Sequence, residues 1–227
     1  MERPPKAPSI NGKSPRKRLS SEERRAALLR AAVELFSKRG FAGTTTKQIA
    51  DAAGVSEALL FQHYATKHDL YTAIIDHRVG DEEMEAWFSE IRRYAEERND
   101  EALFVALATG IAESYRLDPQ FQRVMLFSSL EEHALAKLFH EKRGKPVFCF
   151  LCDYIETRQR EGAFREGDPG TIVMAFTGMP SHYATVRWLY RINVVERPDL
   201  DVVSDFARML LAGLKAEAPR RGRKKNS

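Results

Sequence analysis

The sequence predicts an all-α protein with a small N-terminal helical domain and a larger C-terminal helical body. Two observations favour this fold class. Apolar residues recur at the three- and four-residue spacing of helices over most of the chain, and capping residues and prolines mark helix starts. No strand-like alternation of any length appears in the first 80 residues. With 227 residues, 43% of them hydrophobic, the chain is long enough to bury a core in one or two domains.

Capping patterns place the helices of the N-terminal domain. Ser20 with Glu23 fits a capping box, in which two side chains three residues apart satisfy backbone N–H groups at the helix start. Thr45 with Gln48 fits a second box, and Ser56 is suited to cap the next helix. The helices predicted here lie near residues 20–39, 45–53, 56–64 and 66–79.

The second and third helices are separated by only two residues, one of them Gly54. Two short helices joined by a tight glycine-containing turn form a helix-turn-helix. On the later helix, Leu60 and Tyr64 share the face expected to pack in the core, which leaves Ala58 and Gln62 on the exposed face. This pattern suits insertion into a DNA groove, but it also occurs in helix pairs of ordinary all-α domains.

Prolines and a longer apolar periodicity organise the body. Pro119, Pro169 and Pro198 stand where a proline suits the first helical turn. Pro180 falls inside an apolar helical stretch, which it is expected to kink or divide. The helices predicted here lie near residues 81–97, 100–116, 119–129, 130–142, 146–161, 169–192 and 199–215.

The charge distribution is uneven. Residues 1–80 hold 14 Lys and Arg against 8 Asp and Glu, whereas residues 81–215 carry a net charge of −6 within an overall charge of +4. A basic N-terminal part joined to an acidic body favours contact with a polyanion, although basic solvated tails give a similar balance. Residues 1–19 are predicted to be a disordered basic arm and residues 216–227 a basic tail, because Pro, Lys, Arg and small residues dominate them.

Several protein classes find no support in the sequence. The longest uncharged apolar candidate, residues 171–186, is too short to span a membrane, and no apolar signal segment stands near the N-terminus. The two cysteines are too few for a disulfide scaffold, so a cytoplasmic, reduced protein is expected. No glycine-rich phosphate loop, GxSxG, HExxH or matched metal set appears, so no catalytic residue, metal or cofactor is predicted and the protein is not expected to be an enzyme.

The stretch AALLRAAVELFSKRGFAGTTTKQIADAAGVSEALLFQHYATKHDLYTAII closely resembles the N-terminal DNA-binding domain of the TetR family of bacterial transcriptional regulators. The C-terminal part is similar in outline to the family's ligand and dimer domains, with YIETRQREGAFREGDP and AFTGM as the supporting stretches. The resemblance implies a three-helix helix-turn-helix DNA-binding domain over residues 20–80, with its motif at about 45–64. It also implies a helical ligand-binding and dimerisation domain over residues 81–215.

The resemblance also implies which residues contact DNA. Thr45, Thr46 and Ser56 should offer hydroxyl and backbone N–H groups to phosphate, since helix N-termini favour anions. Lys67 matches a phosphate-contacting lysine. The groove-facing positions are matched by Ala58, Leu59, Phe61, Gln62 and His63.

At three DNA-facing positions the chain departs from the family's usual residues. Phe61 stands where tyrosine is frequent, and Leu59 stands where Thr or Ser is frequent. Glu57 places a negative charge near the DNA backbone, at a position where lysine is frequent. These departures bear on the operator sequence and on affinity, and Leu59 remains suited to touch a thymine methyl group.

The body should hold a sensor and a dimer surface if the resemblance extends to it. Its aromatic and Met side chains either pack the core or line a ligand pocket, and Pro180 is a point where a cavity could open. The predicted ligand-binding residues are Phe104, Phe121, Met125, Tyr154, Phe176, His182 and Tyr183. The predicted dimer-interface residues are Val202, Phe206, Met209 and Leu210, which otherwise pack on their own subunit.

The sequence therefore predicts a homodimeric DNA-binding transcriptional regulator. We expect a repressor that leaves a near-palindromic double-stranded operator when an unidentified small apolar or aromatic ligand binds. The alternative is a DNA-binding regulator without such an inducer, controlled by a protein partner or by the thiol redox state of the CxxC pair Cys149 and Cys152.

Overall fold

The computed structural model of the chain describes residues 20–79, 82–132 and 134–216, and these residues form helices without a β-strand among them. The all-α fold class is thereby confirmed. The predicted basic arm, 1–19, and the basic tail beyond residue 216 lie outside the described residues. None of the described helices is long and apolar enough to cross a membrane.

The described helices follow the predicted order along the chain. In the N-terminal domain their ends agree with the prediction to within one residue at each end. The helices are α1 (Ser21–Arg39), α2 (Thr46–Ala53), α3 (Glu57–His63), α4 (Lys67–Val79), α5 (Glu82–Glu96), α6 (Asp100–Leu117), α7 (Pro119–Leu130), α8 (Ala134–Phe139), α9 (Lys145–Arg160), α10 (Pro169–Ala184) and α11 (Asp199–Leu214).

Two wide helical turns occur in the body, one at a break that the sequence suggested and one inside the helix that was predicted over residues 169–192. A π-helical turn, His140–Gly144, joins α8 to α9, so the chain stays helical where two separate helices were predicted. A second π-helical turn, Thr185–Leu189, follows α10. Pro180 lies buried inside α10, which continues to Ala184, so the proline does not divide the helix, and of the two predicted outcomes only a kink stays a prediction.

The helices build two hydrophobic cores. The N-terminal core consists mainly of buried residues of α1–α4. Phe121 and Val124 of α7 and Leu135 of α8 also belong to it. The body core surrounds α6, which packs against α5, α10 and α11 and contributes Leu103 and Phe104. Because α7 packs along α1, the N-terminal domain is in direct contact with the body.

Candidate nucleic-acid interface

The turn between α2 and α3 depends on the backbone of Gly54. This residue has φ 68° and ψ 31°, a left-handed conformation that glycine adopts at no steric cost. Its N–H donates to Asp51, and the N–H of Val55 donates to Ala50, so the helix end is satisfied within the turn. A Cβ at this position would meet no atom within 4 Å, so the conformation, and not space, requires glycine. The chain then restarts at once as α3.

The polar residues at the two helix starts form the caps that the sequence predicted. Thr45 Oγ1 accepts from the Gln48 N–H at 3.2 Å, and the Gln48 side chain accepts from the Thr45 N–H at 3.0 Å. Ser56 Oγ accepts from the Leu59 N–H at 3.2 Å. A hydroxyl group accepts and donates at once, so capping leaves both O–H groups able to reach phosphate. The phosphate contacts themselves stay a prediction.

The hydroxyl group of Thr46 is engaged differently from what was predicted. It donates to Glu57 Oε1 at 2.5 Å and thereby links the first residue of α2 to the first residue of α3. The hydroxyl proton expected to meet phosphate is therefore donated to a carboxylate of the same chain. The negative charge of Glu57 is held beside the N-terminus of α2, which is the position at which an anion would bind.

The faces of α3 are arranged as the sequence predicted. Leu60 is fully buried and Tyr64 nearly so, which anchors the helix on the N-terminal core. On the other side, Ala58 and Gln62 are exposed, and the Phe61 side chain is 45% exposed although it is large and apolar. The two remaining groove-facing candidates, Leu59 and His63, are half-buried at the edges of this face. An exposed aromatic residue between small and polar neighbours suits contact with base edges.

The side chain of Lys67 stabilises the turn between α1 and α2. Its ammonium group donates to the carbonyl oxygens of Phe41 at 2.8 Å and Thr44 at 2.9 Å, and it lies 4.0 Å from the centroid of the Phe41 ring. Burial lowers the pKa of Lys67, while the charge of Glu131 acts in the opposite direction. An ammonium group has three N–H donors, so one stays available for the predicted phosphate contact.

Residues far away in the sequence support this interface and were missed. The Arg123 side chain of α7 donates to the Ser37 carbonyl at the end of α1, at 2.8 Å. The Glu131 carboxylate, also from α7, accepts from backbone N–H groups of the turn between α1 and α2. Arg25 of α1 donates to the hydroxyl of Tyr64 at 3.3 Å and so fixes the end of α3. Nothing in local sequence spacing signals these pairs.

The predicted ligand-binding residues do not form one pocket. Phe121 and Met125 lie in the N-terminal core, and His182 is exposed on α10, so these three lie apart from the residues of the body core, and their role in ligand binding stays a prediction. Phe104 and Phe176 lie in the body core with their rings stacked, centroids 3.9 Å apart, which fills the space between them. Helical spacing identifies apolar residues but not which of two cores receives them.

Two tyrosines of the predicted ligand set are buried in the body and paired with acids. The Tyr154 hydroxyl donates to Asp100 at 2.5 Å, and the Tyr183 hydroxyl donates to Asp199 at 2.6 Å. Burial, followed by the acidic partner, raises the pKa of both hydroxyl groups, that of Tyr183 to about 12. Beside Tyr154 lies a groove of about 300 Å³, lined also by Arg92, Glu96, Arg98, Phe150, Asp153 and Thr157.

The predicted dimer residues lie on two different sides of α11. Val202 is buried in the body core, and the half-buried Phe206 packs its ring edge-on against Tyr183, while the part of either residue in a dimer stays a prediction. Met209 is 58% exposed, and Leu210 is half-buried at the edge of the core. On the neighbouring helix α10, Met174 is 61% exposed. Met209 is thus the one exposed member of the predicted set, and Leu200 of α11 is a further exposed apolar residue of these helices.

The two cysteines are free thiols on α9. Cys149 is exposed and Cys152 is half-buried. Burial raises the pKa of Cys152, and Cys149 and nearby acids act in the same direction, which disfavours the reactive thiolate. Within the described ranges, no group of three or more His, Cys, Asp or Glu is placed to hold a metal ion.

Comparison with known proteins identifies the N-terminal domain. The model of the family described as "Bacterial regulatory proteins, tetR family" matches residues 28–74. The transcriptional activator FasR of Mycolicibacterium smegmatis is 45% identical over 62 residues, which are 27% of this chain and 28% of FasR. The transcriptional repressor Rv3405c of Mycobacterium tuberculosis is 45% identical over 56 residues, which are 25% of this chain and 30% of the repressor. The chain thus matches less than a third of the length of these curated relatives.

Solved structures extend the similarity of fold to the body. The crystal structure of AibR in complex with isovaleryl coenzyme A and operator DNA has a TM-score of 0.56 and 20% sequence identity. It covers 84% of this chain and 97% of the AibR chain. At this level of identity the likeness establishes the fold, which agrees with the predicted combination of a helix-turn-helix domain and a larger helical body. The named relatives are transcriptional regulators and not enzymes.

Proposed function

The chain belongs to the TetR family of bacterial regulatory proteins, and we propose that it acts as a homodimeric repressor of a near-palindromic operator. One observation carries the proposal: α3 is anchored by Leu60 and Tyr64 and exposes Ala58, Phe61 and Gln62 on its other face. A recognition helix presents base-reading groups in this way, and a twofold dimer presents two such helices about 34–36 Å apart.

Selection of bound sequences from a random DNA pool tests this proposal. We expect the selected sites to contain two inverted half-sites, and footprinting with light scattering to show a dimer covering both. A single asymmetric half-site bound by a monomer would contradict it. Transcription from a reporter placed behind the selected site then separates repression from activation, since the relatives include one protein of each kind.

Dimerisation is proposed to use the exposed faces of α10 and α11. Met174 and Met209 are exposed there, and a Cβ built on Gly178 or on Gly213 meets no atom of the subunit within 4 Å. Glycine is unfavourable inside a helix unless a close approach uses it, and the backbone of a partner helix would make such an approach. Equilibrium sedimentation of Met209→Asp against wild type tests this face, because a buried unpaired carboxylate opposes association.

Release by a small, largely apolar ligand is the proposed control. AibR, a protein of the same fold, is described with both isovaleryl coenzyme A and operator DNA. In this chain α4 leads from the DNA-binding domain to the body, so a ligand that prefers one arrangement of the body shifts DNA affinity by its difference in affinity for the two states. Since Phe104 and Phe176 are stacked, binding in the core requires those rings to separate.

A screen for thermal stabilisation by small apolar compounds tests the proposed release, because binding to the folded state raises its stability. We expect at least one stabilising compound to lower operator affinity. Stabilisers that leave DNA affinity unchanged, or a complete lack of them, would favour the second candidate function, a regulator controlled by a protein partner. The filled space between Phe104 and Phe176 is the observation that favours this second candidate.

A further inference from the structure

A second apolar surface lies away from the exposed faces of α10 and α11. It is formed where the π-helical turn after α10 meets α7, around a groove of about 140 Å³. Leu130 of α7 is 73% exposed, and Tyr190, just after the π-helical turn, is 59% exposed. We call this surface the α7 patch and define it by Leu126, Phe127, Leu130, Leu189 and Tyr190.

The chain continues the apolar character of the patch beyond Tyr190. Ile192 and Val194, the next apolar residues, are also exposed, and Ile192 is held by a backbone hydrogen bond to Val186. Single exposed apolar residues are common in proteins and require no explanation. A contiguous group of large side chains around a groove, in contrast, is typical of an interaction surface.

We propose that the α7 patch is part of the homodimer interface and contacts a second copy of this chain; the inference rests on the proposed homodimer. The first argument is position. Residues 190–198 connect α10 to α11, the helices proposed to form the dimer, so the patch adjoins their ends. Leu200, in the first turn of α11, is exposed as well, so the segment that leads from Tyr190 into α11 carries several exposed apolar residues.

The second argument is area. A stable dimer usually buries about 800 Å² on each partner and involves about 20–30 residues a side. The exposed large apolar side chains of α10 and α11 are Met174, Leu200 and Met209, and the two glycines there have no side chain to bury. The α7 patch supplies the additional large apolar residues that such an interface needs.

The third argument is charge. A twofold interface sets like surfaces near one another, so a surface with strong net charge would repel its copy. The α7 patch itself is apolar, and the exposed charged residues that adjoin it in sequence have both signs, Arg123 and Arg191 against Glu131 and Glu132. These four charges sum to zero, so the patch has no excess of one sign that would repel its copy.

An interface at this place would position the DNA-binding domain directly. α7 bears Arg123 and Glu131, which bind the end of α1 and the turn before the helix-turn-helix. Contact of a partner with Leu126 and Leu130 on the same helix would therefore fix each recognition helix relative to the twofold axis. This assigns α7 a role in setting the half-site spacing.

Equilibrium sedimentation of the full chain tests the proposal with Leu130→Asp and Tyr190→Asp. Each introduces a carboxylate into the proposed contact, so we expect the dimer dissociation constant to rise by about tenfold or more. Ala86→Asp places the same charge on the exposed side of α5, away from both proposed surfaces, and should leave the constant unchanged. Far-UV circular dichroism checks folding, and Leu130→Gln supplies a milder change at the same position.

The outcomes separate this interface from the proposed homodimer itself. If Met209→Asp dissociates the dimer while all three α7-patch variants associate like wild type, the α7 patch is not part of the interface, although the homodimer stands. If wild type is a monomer at every concentration and remains one on operator DNA, the homodimer fails and the α7 patch proposal fails with it. Equal weakening by Ala86→Asp would show that the effect is not local, which also overturns the proposal.

Discussion

The carboxylate of Glu131, at the end of α7, accepts a 2.8 Å hydrogen bond from the backbone N–H of Phe41, in the turn before the helix-turn-helix. Its other oxygen accepts from the N–H of Ala42 at 3.3 Å. This contact requires Gly40, whose φ of 70° and ψ of −178° are open essentially to glycine alone. A Cβ on Gly40 would overlap the Glu131 carboxylate, so glycine also gives the acid access to the backbone.

Glu131→Gln is expected to weaken this hydrogen-bonded contact between the body and the DNA-binding domain. The amide keeps one acceptor oxygen but loses the negative charge, so the free energy of unfolding should fall by about 1 kcal/mol. Operator affinity should fall with it, because the turn that leads into α2 is held less firmly. Urea unfolding and operator titration measure the two effects. Glu132→Gln, the same change at the adjacent exposed position, is the control, and an equal loss there would contradict the assignment.

Lys67→Met is expected to lower both stability and DNA affinity. Methionine keeps the apolar stem but removes the ammonium that binds the Phe41 and Thr44 carbonyl oxygens, which should cost about 1–2 kcal/mol of unfolding free energy. If the third N–H contacts phosphate, binding should weaken alike for all sequences, and the slope of log affinity against log salt should become shallower by about 0.9 per lost contact.

The exposed Lys47 of α2 provides the comparison for Lys67. Lys47→Met removes one positive charge from the DNA-binding domain without removing a hydrogen bond to the Phe41 or Thr44 carbonyl. Its unfolding free energy should match that of wild type. If Lys67→Met has the unfolding free energy of wild type and the same salt dependence of DNA affinity, then Lys67 neither stabilises the turn nor contacts DNA.

Tyr71 should make the protein less stable at alkaline pH. Burial raises the pKa of Tyr71 to about 12, whereas an unfolded tyrosine ionises near about 10. The pKa of Tyr71 is higher in the folded than in the unfolded protein, so the stabilisation from keeping this hydroxyl protonated is fully present below pH ~10. It is lost as the pH rises through ~12, which lowers the free energy of unfolding by about 2–3 kcal/mol. Tyr71→Phe should make the pH dependence of urea unfolding less steep across that window, while Tyr154 and Tyr183, whose pKa values are also raised, retain the remaining slope. A profile for Tyr71→Phe that is identical to that of wild type would refute the assignment.

Local signals explain why the helix-turn-helix was predictable. The capping boxes at Ser20 and Thr45 join groups only three residues apart. Gly54 indicates a left-handed turn between two short helices. Each of these features depends on neighbours within one or two helical turns. They fix where the helices begin and end, and the apolar periodicity then fixes that Leu60 and Tyr64 face inward.

Contacts between distant segments explain what the sequence did not predict. Phe121 and Met125 lie in the part of the sequence that was assigned to the body. Because α7 packs along α1, however, both side chains lie in the N-terminal core. Glu131 reaches Phe41 across 90 positions of sequence, so no spacing rule connects them. The binding of the Thr46 hydroxyl by Glu57 was missed for a related reason, because it depends on the angle at which α2 and α3 meet.

Gln62→Ala is expected to change which base is preferred at one position of each half-site. Gln62 is exposed on the outer face of α3, and a glutamine amide pairs with adenine through two hydrogen bonds worth about 1–3 kcal/mol of discrimination. Sequence selection with wild type and variant measures the change. Gln48→Ala, which removes a capping glutamine from α2, serves as the comparison and should lower stability without altering the preferred sequence. Identical sequence preferences for wild type and Gln62→Ala would exclude Gln62 as a base reader.

Glu57→Gln is expected to tighten DNA binding. The carboxylate of Glu57 is held by Thr46 beside the N-terminus of α2, where phosphate should bind, so its charge opposes the approach of the DNA backbone. Removing one such charge should improve affinity by about 1 kcal/mol, or about fivefold, for each half-site. The gain should be the same for operator and random DNA, since phosphate contacts carry no sequence information.

The Glu57 prediction is measured by titrating operator and random DNA at several salt concentrations. Glu101→Gln, which removes a carboxylate of α6 that pairs with Arg208 in the body, is the control and should leave DNA affinity close to that of wild type. The gain from Glu57→Gln should shrink as salt is raised, because screening weakens the repulsion that the carboxylate exerts in wild type. Weaker binding confined to the operator would instead mean that Glu57 accepts a hydrogen bond from a base, for which cytosine N4 is the fitting donor.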